Sequence, residues 1–165
     1  MGVSMQFFRR VIGAVVLVVA CTQSVAHAGD TKIVSDARDS AEWIAKALNS
    51  SGYKADFSIS SLKEVDRFLE EQAPKGVPKP GGLLGEHLGS RVFSLGSYVG
   101  EVLIRNAGGN WKGDDSDPEA EINLAVQFRN GSQAWPIQRV MKRLRNGSED
   151  SVFAYGVALS ADAPK

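Results

Sequence analysis

Ile122-Asn123-Leu124-Ala125-Val126-Gln127-Phe128-Arg129-Asn130-Gly131-Ser132-Gln133-Ala134-Trp135 is the stretch that decides the fold class, because here the apolar period changes from helical to two. Ile122, Leu124, Val126 and Phe128 alternate with Asn123, Ala125 and Gln127. That spacing sets one face of a strand on a core and the other toward water. Asn130-Gly131 predicts a two-residue hairpin loop, since both positions of such a turn take positive φ. In that register Arg129 faces Ser132 and Val126 faces Trp135, so Trp135 joins the apolar face. Trp111 falls in a third short strand ahead of the acidic loop 114–119.

Working outward, the pattern is helical on both sides. Pro136 ends the ladder and starts a helix over 137–145, with Ile137, Val140, Met141 and Leu144 inward. Asn146-Gly147 breaks it, and Ser148 with Glu149 and Asp150 caps a last helix through about residue 159. Toward the N-terminus, residues 83–106 read as a long helix softened by Gly85 and Gly89 and stopped by Gly108-Gly109. Gly96 and Gly100 lie four apart on one face of it. Each glycine inside a helix costs about 1 kcal/mol against alanine, so a close neighbour is expected at both, and this helix is expected to be central.

Residues 73–82 hold three prolines and three glycines and read as a loop. Before it, Ser61-Leu62-Lys63-Glu64 is a capping box opening a helix to about Gln72, with Leu62, Val65, Phe68 and Leu69 on one face. Ala37, Ala41, Ile44 and Leu48 predict a helix over 35–49. The expected architecture is α+β, a small antiparallel β-meander of about three strands with four to five helices packed on it.

The first 28 residues read as a secretory signal peptide. Arg9 and Arg10 precede a ten-residue apolar run, Val11 to Ala20, too short for the roughly 20 residues a membrane-spanning helix needs. Ala26-His27-Ala28 puts Ala26 and Ala28 where a signal peptidase reads small residues. A competing reading takes Val18-Val19-Ala20-Cys21 as a lipobox, with Cys21, the only cysteine, acylated. The expected location is periplasmic or secreted; the alternative is a lipoprotein anchored through Cys21. Residues 29–165 then form one domain without a transmembrane span or an internal repeat.

The chain carries 19 Lys and Arg against 19 Asp and Glu. Removing residues 1–28 takes away Arg9 and Arg10 and no acid, so 17 − 19 leaves a charge of −2. Such a balance argues against general nucleic-acid binding, which needs a strong basic field.

The runs Ser61-Leu62-Lys63-Glu64-Val65-Asp66-Arg67-Phe68-Leu69, then Gly96-Ser97-Tyr98-Val99-Gly100-Glu101-Val102, then Trp135-Pro136 on to Lys142-Arg143-Leu144 and Asn146-Gly147-Ser148-Glu149-Asp150 resemble an uncharacterised bacterial family known as a domain of unknown function. The resemblance covers residues 61–155. It implies one compact domain and brings no activity, cofactor or site residue with it.

Candidate sites are few. His87, beside Glu86, could take part in acid–base chemistry, but no nucleophile motif accompanies it, and a lone surface histidine is the plainer reading. Glu101, next to Gly100, could point into a cleft or pair with Arg105 one turn on. The 114–119 loop offers carboxylates to a cation, yet Ala120 stands where a calcium loop turns on glycine, so a solvated acidic turn is preferred. Arg139, Lys142, Arg143 and Arg145 read as a solvated basic face open to an anionic partner. Trp43, at the edge of its helix's apolar stripe, could anchor a partner. Two functions fit: a non-catalytic envelope binding module, accessory or inhibitor-type (immunity-like), with an envelope protein as partner; or a small hydrolase using Glu101 or Glu86 and His87. No cofactor is expected.

Overall fold

The computed structural model describes residues 30–161; the segment holding Arg9, Arg10, Cys21, Ala26 and Ala28 lies outside them. In chain order the elements are α1 (Lys32–Ser50), α2 (Leu62–Gln72), α3 (Leu88–Ala107), β1 (Asn110–Lys112), α4 (Ala120–Asn123), β2 (Ala125–Gln127), β3 (Gln133–Ala134), α5 (Pro136–Asn146) and α6 (Val152–Ala161). The fold is α+β: six described helices pack with one three-stranded antiparallel sheet of order β1-β2-β3.

α3 is the axis. Residues 92–103 are buried without a break, and α1, α5 and α6 lie against it. Small side chains make this approach possible. Ala37 and Ala41 of α1 are fully buried, and a Cβ on Gly96 would stand 2.5 Å from the Ile137 Cα of α5. α1 begins at Lys32 and carries Ile33, Val34, Ile44 and Leu48 on the buried side, extending the expected stripe by one turn. Tyr98, the largest fully buried side chain, sits mid-helix, where its hydroxyl meets Ser61 Oγ at 2.6 Å and accepts from the Phe57 N–H at 3.1 Å.

Several local expectations are corrected. The long helix starts at Leu88 rather than 83, because the chain before it is built of turns. Gly82 and Gly85 donate to Lys79 and Gly82 carbonyls, and His87 takes a left-handed φ of 55°. Leu84, fully buried, pins that loop. Burying a leucine contributes about 1.5–3 kcal/mol, enough to outweigh a frayed extra turn of glycine-bearing helix. The capping box is also replaced. Ser61 is already helical, and Ser58 Oγ accepts from its N–H at 3.2 Å to start a 3₁₀ turn, Ile59–Ser61, that leads into α2. Glu64 turns instead to Arg67.

Within the deciding stretch, the alternating run 122–128 forms a strand only over Ala125–Gln127, and Gln133–Ala134 forms its hairpin partner. Upstream, Asp117 accepts from the Glu119 N–H at 2.8 Å and from the Asn123 amide at 2.8 Å, winding 120–123 into the single turn of α4. Local polar caps of this kind compete with strand pairing. The hairpin loop holds three residues, not two. Gly131 N–H donates to Phe128 and Phe128 N–H to Ser132, only Gly131 is left-handed (φ 84°), and Asn130 Oδ1 accepts from the Ser132 N–H and hydroxyl. The partners are therefore Val126↔Ala134. A one-residue slip exchanges the faces of a strand, so Ala134 is buried and Trp135, expected inward, is 42% exposed.

Candidate functional site

Glu101 does not open into a cleft. It is 8% exposed, its Oε1 accepts from Trp111 Nε1 at 2.8 Å, and Oε2 accepts from Arg105 Nε at 3.3 Å. Arg105 continues to Glu42 at 2.5 Å and lies 3.6 Å over the Phe57 ring. Gly100 makes this possible, because the Trp111 ring occupies the volume of its missing side chain. Glu86 and His87 are exposed in the loop before α3. Fourteen residues of helix, about 21 Å at 1.5 Å per residue, separate His87 from Glu101, so the three weak catalytic candidates do not meet.

The basic face divides. Arg143, expected in solvent, is 5% exposed. It stands three residues after Val140 and so falls inside the apolar stripe of α5. Its guanidinium reaches Asp66 at 2.9 Å and Glu70 at 3.1 Å. Asp66 escaped the sequence reading altogether, yet it organises this corner. Besides Arg143 it accepts from Ser151 Oγ at 2.7 Å, Val152 N at 2.9 Å and Phe153 N at 3.0 Å. It thus caps α6 from α2, a role assigned above to Ser148. One signal was available: Asp66 directly follows the buried Val65 and sits one turn after the buried Leu62.

Asp115 makes the matching connection at the other end, accepting from the Lys32 N–H at 2.7 Å and the Ile33 N–H at 2.8 Å at the start of α1. In the same acidic loop, Asp114 accepts from the Ser116 hydroxyl and N–H, which hold its carboxyl below the ordinary range. Asp114, Asp115 and Asp117 thus serve the backbone around them. Among the described residues no three His, Cys, Asp or Glu side chains gather as a metal site would.

Two concave regions flank α5. The first is a cleft of about 470 Å³ walled by Leu88, Val92 and Phe93 of α3, Ile122 of α4, and Met141 and Leu144 of α5, with Glu121 and Arg145 at its edge. Neither rim charge has an ion-pair partner among the described residues. The second, about 370 Å³, lies between β3, α5 and α6 and includes Trp135, Arg139, Lys142 and Tyr155. Arg139 is paired with Asp150 at 2.5 Å and lies 4.4 Å over the Tyr155 ring; Lys142 is exposed. Burial raises the Tyr155 hydroxyl above its usual pKa. Trp43 is 48% exposed beside a shallow hollow, with the Arg91 guanidinium 4.7 Å over its ring.

No family model, curated protein or solved structure matches the chain. The class defined here is an α+β protein built around one buried glycine-bearing helix. No helix of the described residues is long and apolar enough to cross a membrane.

Proposed function

We propose that this protein is an exported bacterial envelope module that binds without catalysing, an accessory or inhibitor-type (immunity-like) protein. Its partner is an envelope protein that inserts an apolar segment between α3, α4 and α5. The observation carrying this reading is the 470 Å³ cleft, whose walls are aliphatic and aromatic while its charges stand at the edge. A preformed apolar cavity of this size with few polar groups is the usual form of a binding site. Glu121 and Arg145, of opposite sign and unpaired among the described residues, favour a segment bearing a base and an acid at its ends. Met141 supplies a side chain that adapts to what enters.

The hydrolase alternative draws no support from geometry. Acid–base catalysis needs groups within hydrogen-bond reach of one reacting centre, and Glu101 already serves an indole and a guanidinium. The reading includes export by cleavage after Ala28, with acylation of Cys21 as the alternative, and membership of the family resembled over residues 61–155.

The test uses Ile122, 38% exposed on the cleft wall. Ile122→Glu should leave the thermal midpoint near that of the parent and abolish crosslinking to the envelope protein captured by the parent. Capture that persists unchanged in Ile122→Glu would reject the cleft as the binding site.

A further inference from the structure

The second concavity differs in chemistry from the apolar cleft. One wall is the half-exposed indole of Trp135, whose backbone N–H donates to Tyr155 Oη at 3.2 Å. Around it stand polar groups with capacity to spare. The Gln133 amide makes no hydrogen bond with another described residue, and it can both donate and accept. Gln138 uses its Nε2 on the Ile122 carbonyl at 3.2 Å, which leaves its Oε1 free to accept. Tyr155 Oη accepts from Trp135, which leaves its own proton to donate.

The charges here are sorted. Asp150 is occupied by Arg139 at 2.5 Å and by the Asn146 amide at 2.6 Å. Arg139 is thereby committed to the wall, stacked on Tyr155. Lys142 has no ion-pair partner among the described residues, so the concavity presents one uncommitted positive charge.

An aromatic plate takes the C–H face of a pyranose ring. Amides and a phenol that donate and accept match hydroxyl groups, which do both. A single free ammonium matches a single carboxylate. A flat aromatic acid would leave the amides unmatched, and a purely apolar ligand would strand every polar group in the pocket. The volume of about 370 Å³ is in the range of small-ligand sites. We propose that this pocket binds a carboxylated saccharide, stacked on Trp135 with its carboxylate at Lys142. The site is separate from the α3–α5 cleft, and the proposal does not rest on that cleft's occupancy.

The test is calorimetric titration of the full protein with sodium D-glucuronate, using glucose and acetate as comparators. Saturable binding of glucuronate is expected, with glucose and acetate each markedly weaker. Trp135→Ala should weaken glucuronate by about tenfold through loss of stacking. Lys142→Met should weaken it by about tenfold through loss of the charged contact. Both side chains are exposed, so both variants should keep the parent thermal midpoint, and Ile122→Glu should bind glucuronate as the parent does. Retention on immobilised alginate that Trp135→Ala abolishes would assign the ligand to a polymer; glucuronate binding without retention would assign it to a free sugar acid. The proposal is overturned if glucuronate shows no saturable heat, if acetate binds as tightly, or if either variant binds as the parent does.

Discussion

A Cβ on Gly100 would stand 1.9 Å from Cη2 of Trp111. The indole of β1 lies directly on the backbone of α3, and its N–H reaches Glu101, the next residue along. Sequence position 100 is therefore a receptor for one ring, and the neighbouring carboxylate sets that ring's orientation.

Gly100→Ala should destabilise the protein by about 1–3 kcal/mol, because the added methyl drives into a ring that cannot retreat without leaving Glu101. The intrinsic helix preference for alanine works in the opposite direction and amounts to about 1 kcal/mol, so the net sign decides whether packing governs the site. Urea unfolding measures it. A more stable Gly100→Ala variant would mean that Trp111 is free to move.

Replacing Asp66 should be among the most damaging single changes. Asp66→Ala leaves Arg143 buried without its main partner and removes the cap of α6, a loss of about 3–5 kcal/mol for breaking a buried pair. Arg143→Met, with a side chain of similar reach and no charge, should cost clearly less, since Asp66 keeps its three other donors. Equal losses in thermal unfolding would show that the ion pair, and not the cap, dominates this corner.

Acid should erode stability in a defined window. The Ser58 hydroxyl, then its N–H and Lys54, hold the Asp56 carboxyl at about 2. A carboxyl lowered on folding contributes stability above its unfolded pKa of about 4 and loses it as pH falls through the folded value. Asp114, lowered by Ser116, and Glu71, lowered chiefly by the Tyr53 hydroxyl, act in the same direction. Unfolding midpoints should therefore drop between about pH 4 and pH 2, and Asp56→Asn should make the drop shallower. The effect is modest, because these groups are at the surface and screened by solvent. An identical profile in Asp56→Asn would exclude this carboxyl as a contributor.

The intact mass of the exported product is expected to correspond to a chain beginning at Gly29. A product beginning at Cys21 and heavier by a lipid group would replace that expectation with the anchored form.

The large features were legible because they follow from periodicity. The amphipathic stripes of α1, α2 and α5, the presence of a strand at Val126, and the close contacts at Gly96 and Gly100 need only spacing and side-chain size; the strict alternation does not hold, since Ala125 is buried and Ile122 exposed. Two of the errors share another origin. Asn130 bonding to Ser132 lengthened the hairpin loop by one residue and turned Trp135 outward, and Asp117 wound Ile122 into a helix. In both places a short polar side chain satisfying nearby backbone outcompeted the regular pattern. The candidate sites were least legible because they depend on partners distant in sequence: Arg143 looks like any surface arginine until Asp66, 77 residues away, is set beside it.

The two carboxylate caps give the chain an order of assembly. Asp115 closes the start of α1 from 83 residues downstream, and the α6 amides that Asp66 receives lie 86 and 87 residues after it. As the chain leaves a ribosome, or threads through any narrow channel from its N-terminus, α1 emerges first and waits, its leading amides unmet, until the acidic loop follows. Asp66 waits in turn for the last helix. The first latch thus stays open until the acidic loop is free and the second until α6 has followed it, so a chain stalled halfway through the described residues has closed neither.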